Sequence, residues 1–370
     1  MVATAFLFVR TVVVRESRFL ATTMISCTVA ATVATFQFSV YNSFRQASAV
    51  IPRAIEADYW VRARSVASFD FPTPFSEDYT ATLAGYFPGG STRRVAFGFV
   101  PWRSPTGRRG NVALVGIDDL GTSPNGFVAN RSDLDRLDLS DLGDDANVAT
   151  IGGETLVLER VVDDLSTYLG APYILADFTT ARRLLAMDPT SVAFLAGDVG
   201  DAGDRDVAGL DRASQAIEAR FPDIALSPAD EFAESSADYW LNKTGAGLAI
   251  GLAALLATLL MVILLVNGVL RFIQRYFHAL VSLLGHGASR RDVGFIVAGI
   301  ALVITVVTLL GALVVTPLLV LAFRPLLPWV AFTAGDLAAP LTGTAAALAA
   351  TLLSVRGSLA AFAPDAVFRT

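Results

Sequence analysis

The stretch from Thr244 to Leu270 reads TGAGLAIGLAALLATLLMVILLVNGVL, 27 residues without one Asp, Glu, Lys or Arg. At 1.5 Å per residue, about 20 apolar residues cross a hydrocarbon core of roughly 30 Å, so this stretch predicts a transmembrane helix. Three others lack those four residue types: Phe19 to Phe44, Val293 to Phe323 and Leu337 to Val355, with 26, 31 and 19 residues. Four spans are expected. The last is the weakest, because its Ala, Thr and Gly insert less favourably than Ile, Leu or Phe. The whole chain agrees: of 370 residues 54% are hydrophobic and 17% charged, and the mean hydropathy is +0.55, too apolar for an ordinary soluble protein.

The arginines set the expected orientation. Arg10, Arg15 and Arg18 precede the first span, Arg271, Arg275, Arg290 and Arg291 lie between the second and third, and Arg356 and Arg369 follow the fourth. Under the positive-inside rule these segments are cytoplasmic. Arg45 to Lys243 holds 18 basic and 30 acidic residues, a net charge of −12, and belongs outside. The fold class expected is an α-helical membrane protein with four transmembrane helices and one large mixed α/β extracytoplasmic domain between helices 1 and 2. The boundaries are a cytoplasmic amphipathic segment 1–18, span 19–44, periplasmic α/β domain 45–243, span 244–270, cytoplasmic loop 271–292, span 293–323, short outer loop 324–336, span 337–355 and cytoplasmic tail 356–370. A cleavable signal peptide would need a shorter apolar core and a small-residue cleavage site, so the first stretch reads as an uncleaved anchor.

Within the outer segment, Ala57 to Ser68, Arg94 to Trp102 and Asn111 to Ile117 are strand candidates rich in β-branched and aromatic residues. Arg103 to Gly110 forms the connection of a hairpin. Ser191 to Ala196, a helix over Val207 to Arg220 and a strand at Asp223 to Leu226 read as a β-α-β unit. Val207, Leu210, Ala213, Ile217 and Phe221 lie on the helix face that meets the sheet. Trp240, just before the second span, reads as an interfacial anchor.

Several chemistries have no residues to carry them. The only lysine, Lys243, lacks the preceding glycines of a phosphate-binding loop. The only histidines, His278 and His286, lie in the cytoplasmic loop, which leaves the outer domain no histidine-based zinc site or Ser-His-Asp triad. Asp118-Asp119, Asp144-Asp145 and Asp163-Asp164 read as turn-capping, solvated residues rather than paired catalytic carboxylates. The single Cys27 lies inside a span, so the outer domain rests on its own core. No span holds an Asp, Glu, His, Lys or Arg, which disfavours ion-coupled transport. The acidic outer domain gives no basic surface for nucleic acid. The chain is read as a non-catalytic membrane subunit binding no metal or cofactor, with membrane lipid as its surroundings.

The functional signal lies in Arg271 to Asp292, RFIQRYFHALVSLLGHGASRRD. Its first half is helical in pattern, Gly285 and Gly287 break it, and Ser289-Arg290-Arg291-Asp292 has the form of a capping box that starts the third span. Read from the residues alone, this is either a capped basic turn or a docking element. Gly245, Gly247 and Gly251 open the second span with small-residue spacing that permits close helix contact, for dimerisation or for internal packing.

Leu283-Leu284-Gly285-His286-Gly287-Ala288-Ser289-Arg290-Arg291-Asp292 resembles the Leu-Gly-Ala-Ser/Thr-Arg-Arg segment of the FtsX-like and MacB-like ABC transporter permeases. Ala363 to Arg369 is similar to the Asp-Pro-x-x-Ala-Leu-Arg ending of those chains, and the order of one span, a large outer domain and three spans matches. Phe97 to Arg109, followed by Val112 to Asp118, looks most like the DevC branch.

The resemblance implies a permease subunit of an ATP-driven export complex, in the bacterial inner membrane with both termini cytoplasmic. It implies a homodimer of permeases, a separate ABC ATPase subunit that uses ATP and Mg, a periplasmic adaptor and an outer-membrane exit duct. By position, Ala279 to Leu284 form the coupling helix, with Ala279, Leu280, Leu283 and Leu284 its candidate contact residues. Gly285, Ala288, Ser289, Arg290 and Arg291 end it beside the ATPase. Two departures stand out. Tyr276-Phe277-His278 replaces a charged pair, and His286 is inserted before Gly287-Ala288, which alters the contact or shifts its register. An FtsX-like scaffold that regulates a cell-wall enzyme and a lipoprotein-releasing permease are the alternatives.

Overall fold

The computed structural model describes residues 17–139, 147–200 and 207–361. In chain order the elements are α1 (Ser17–Ala47), α2 (Val50–Ala54), β1 (Tyr59–Ala63), β2 (Phe75–Ser76), α3 (Tyr79–Tyr86), β3 (Thr92–Arg103) and β4 (Arg109–Ile117). Next come β5 (Gly126–Asn130), α4 (Leu134–Leu137), β6 (Val148–Ile151), β7 (Glu154–Val162), β8 (Tyr173–Asp177) and α5 (Phe178–Leu184). They are followed by β9 (Ser191–Val192), β10 (Phe194–Gly197), α6 (Val207–Arg220), β11 (Ile224–Pro228) and α7 (Ala229–Asp238). The chain ends with α8 (Ala246–Arg275), α9 (Phe277–Gly285), α10 (Arg290–Phe323) and α11 (Ala338–Ala361). Two compact units result. One holds the long helices up to Asn42 and from Leu248, and the other holds Ser43–Gly247 with Leu327–Trp329.

Among the described residues, three helices are long and apolar enough to cross a membrane: Leu20–Ala47, Ala246–Arg275 and Arg290–Phe323. The fourth expected span forms α11, a 24-residue helix that is not among those three. The helices pack through small residues. A methyl group added to Gly268 would meet Thr23 at 2.6 Å and one added to Gly251 would meet Tyr41 at 3.4 Å, so α8 runs antiparallel to α1. Gly311 against Thr28 and Phe323 against Phe36 place α10 parallel to α1. Val293, Ile296, Val297, Ile300, Ile304, Thr308, Ala312 and Thr316 form the buried stripe of α10, while Phe295, Leu302 and Leu310 stay exposed. The three- and four-residue spacing of that stripe selects one face of a helix that is apolar all round. Thr35 and Ser39 of α1 donate to the carbonyls four residues back, at 2.7 and 3.1 Å, which satisfies polar side chains where water is scarce.

The second unit is built on a nine-stranded sheet of order β11-β1-β10-β3-β4-β8-β5-β7-β6, and β6 also pairs with the far end of β3. Six strands therefore close on themselves, and three extend from β3. The long β3–β4 hairpin runs in register from Val95↔Ile117 to Arg103↔Arg109. Its turn is Ser104 to Arg108, three residues shorter than the expected connection. Alternation along β3 sends Ala96, Val100 and Trp102 into one core and Val95 and Phe97 into the other, so both faces of the sheet are covered.

The expected β-α-β unit is present in split form. β10 and β11 flank β1, antiparallel to both, and α6 connects them. The expected strand over Ser191 to Ala196 is two strands. Ser191–Val192 pairs with Phe75–Ser76 in a separate sheet, and Phe194 onward joins the main one after a bend at Ala193, whose amide donates to the Val95 carbonyl. The expected strand over Ala57 to Ser68 stops at Ala63, where Val66 closes a turn back to its carbonyl.

Candidate functional site

The candidate site is the connection between α8 and α10. Helix α8 ends at Arg275, the backbone breaks at Tyr276, and α9 begins at Phe277. Leu280 is buried, and Leu283, Leu284 and Tyr276 pack beside it on the helical core. His278, Ala279, Ser282 and Gly285 are exposed. The spacing of Leu280, Leu283 and Leu284 thus lays α9 along the bundle with one apolar face down, and leaves Ala279, Ser282 and Gly285 exposed together with Phe277 and His278.

The end of α9 is closed by two backbone bonds. Ala288 donates to the Leu283 carbonyl at 3.0 Å and Gly287 to the Leu284 carbonyl at 3.1 Å, with Gly287 left-handed at φ +92°. This is a Schellman arrangement, which needs a residue free of a Cβ clash at that one position. His286 is the residue before it, and its Nδ1 lies 2.7 Å from the Ser282 carbonyl oxygen. The extra histidine therefore sits within the last turn of α9, and Gly287-Ala288-Ser289 follows it without interruption.

Ser289 then opens α10. Its hydroxyl accepts from the Asp292 amide at 3.3 Å and donates to the Asp292 carboxylate at 2.7 Å, and its own amide donates to that carboxylate at 2.8 Å. Two amides that the first turn would leave unpaired are thereby satisfied. Arg290 and Arg291 project from this turn and are exposed.

The structure divides the expected coupling residues between two surfaces. Leu280, Leu283 and Leu284 face the helical core, Ala288 is half-buried, and Ala279, Gly285, Ser289, Arg290 and Arg291 face outward with Ser282, which lies inside the expected coupling helix. Ser282 was legible in the helical pattern, lying three residues from both Ala279 and Gly285. Of the small residues opening the second span, Gly251 lies against Tyr41 of α1. Gly247 lies against the backbone of Leu241, and Gly245 is left-handed at φ +77° with open space around it.

The aspartate pairs separate in space and role. Asp118 makes a two-pronged ion pair with Arg94 at 2.9 and 3.1 Å, Asp163 pairs with Arg131 at 3.1 Å, and Asp119 and Asp164 occupy left-handed turn positions. Asp144-Asp145 and the C-terminal Ala363 to Arg369 lie outside the described residues, as do Arg10 and Arg15. Among the described residues, no three His, Cys, Asp or Glu side chains gather as metal ligands.

No protein-family model and no curated protein matches the chain. Among solved structures it is similar to the periplasmic region of MacB from Actinobacillus actinomycetemcomitans, at 10% identity and TM-score 0.36, covering 47% of this chain and 89% of that one. It is also similar to the extracellular domain of the noncanonical ABC-type transporter YknZ from Gram-positive bacteria. That match has 11% identity and TM-score 0.33, and covers 46% of this chain and 98% of that one.

Proposed function

We propose that this chain is the permease subunit of an ABC-type export complex, resident in a bacterial inner membrane with both termini cytoplasmic. A separate ATPase subunit binds the outward face of α9 and hydrolyses ATP with Mg, and the long helices carry the resulting movement to the α/β domain. Two copies of the permease, a periplasmic adaptor and an outer-membrane duct complete the assembly, and the chain is placed in the DevC branch. The observation that carries this reading is the α9 connection. The residues that resemble the permease segment, Leu283 to Asp292, build the Schellman end of a short helix and a capping box between two long apolar helices. Such a connection presents small side chains, the aromatic rings of Phe277 and His278 and two arginines, which suits docking into another protein's groove.

The test is affinity purification from native membranes in mild detergent, followed by identification of partner chains and an ATPase assay. Ala279→Glu and Ser282→Glu are expected to lose a co-purifying ATPase while the helical unit keeps its thermal stability, because both positions are exposed. Leu280→Glu is expected to lower stability itself. Recovery of the native chain with no ATPase, under conditions that preserve a known ABC complex, would overturn the proposal.

A further inference from the structure

In the α/β unit three hydrogen-bond donors far apart in sequence converge on one buried carboxylate. Asp70 accepts from the Tyr168 hydroxyl at 2.7 Å, the Tyr173 hydroxyl at 3.1 Å and the Trp240 indole at 2.7 Å, from residues 98, 103 and 170 positions away. The loop that carries Asp70 is held as well, because the Phe69 amide donates to Ser236 of α7 at 3.2 Å. Burial pushes the Asp70 carboxyl above the usual carboxylate range, against the opposing effect of these donors. A buried carboxylate is costly, and a satisfied network of this kind specifies a single arrangement.

The ring of Tyr168 then meets the chain where it enters and leaves the long helices. Phe44, near the end of α1, packs edge-on against it at 5.1 Å, and Trp240, three residues before Lys243, packs edge-on at 5.0 Å. Trp329, between α10 and α11, packs on Phe44 at 6.1 Å. Tyr173 belongs to β8, in the middle of the sheet. One carboxylate and one phenol thus link a central strand to all three segments that border the spans.

We propose that the Asp70–Tyr168 pair is the pin of a mechanical joint, through which displacement of the segments carrying Phe44, Trp240 and Trp329 reaches strand β8 as one movement. Asp70 and Tyr168 act as positioning residues. The joint belongs to this chain whatever drives it, so its test needs no partner subunit and stands or falls apart from the proposed ATPase contact.

The test is hydrogen exchange by mass spectrometry on the full chain in lipid nanodiscs. Tyr168→Phe removes one hydroxyl and keeps the ring. It is expected to raise amide exchange about tenfold in 43–55, 239–247 and 327–333 together, with strands β4 and β10 unchanged. Trp240→Phe, which removes only the indole N–H, is expected to give the same pattern. A rise confined to the loop 163–172 would reduce the pair to local packing and overturn the joint. A uniform rise across the sheet would equally overturn it, marking a general loss of stability. If Tyr168→Phe does not yield folded protein, the Trp240→Phe pattern decides by the same criteria.

Discussion

The Asn42 side-chain amide donates to the buried Asp336 carboxylate over 2.6 Å, joining α1 to the turn that starts α11. The same carboxylate accepts the Thr333 amide at 2.7 Å. Removing it takes the acceptor from two partly solvated donors, at a cost of about 1 kcal/mol. Asp336→Ala is expected to lower thermal stability by that amount in detergent, and Asp336→Asn, which keeps an acceptor, by less.

Trp60 is fully buried among Phe69, Phe194 and Phe232, with ring centroids 5.8, 5.9 and 5.5 Å away, and its indole nitrogen has no hydrogen-bond partner. Trp60→Ala is expected to cost about 3 to 5 kcal/mol through the cavity it leaves. Trp60→Phe is expected to cost far less, since it keeps an aromatic ring and removes the unpaired N–H. Urea denaturation of the two variants checks the ordering.

The raised Asp70 carboxyl sets a pH dependence of definite sign. The folded state holds this proton more tightly than the unfolded chain, so the contribution is fully present below the ordinary carboxylate pKa and is lost as pH rises through the raised one. The Tyr168 and Tyr173 phenols that face it are pushed upward, by burial first and by the carboxylate second, and stay protonated throughout. Asp70→Asn is therefore expected to flatten the melting temperature against pH above the ordinary carboxylate pKa of about 4.

Two glycines in the α9 connection are expected to respond oppositely. Gly287 is left-handed, so Gly287→Ala should cost about 1 kcal/mol although no side chain crowds it. Gly285 is helical with open space around it, so Gly285→Ala should be neutral or stabilising by up to about 1 kcal/mol. Thermal unfolding of both variants in one detergent gives the comparison.

What was legible in the residues was local. An uninterrupted apolar run such as Thr244 to Leu270 makes a helix wherever water is absent, because its backbone must pair with itself. The Ser289 to Asp292 capping box and the hairpin of Arg94 to Ile117 are likewise decided within a few residues, by side chains that reach their own backbone or the next strand. In the α9 connection the helix and its end could be read from Leu280, Leu284 and Gly287. Which side chains turn inward could not, since that depends on where α10 lies.

Tertiary structure alone decided the rest. The residues of β1 carry no mark that places the strand between β10 and β11, whose paired positions Leu195 and Leu226 lie far along the chain. Gly126–Asn130 is buried at every position, so it lacks the alternation that identifies a strand and went unread. Asp70 has only Ser68 beside it in sequence as a hydrogen-bond partner. Its three donors come from 98 to 170 residues away, and only the closed sheet brings them to one carboxylate. Local chemistry sets helices, caps and tight turns, whereas strand order and buried polar clusters depend on contacts whose formation the chain must organise over its whole length.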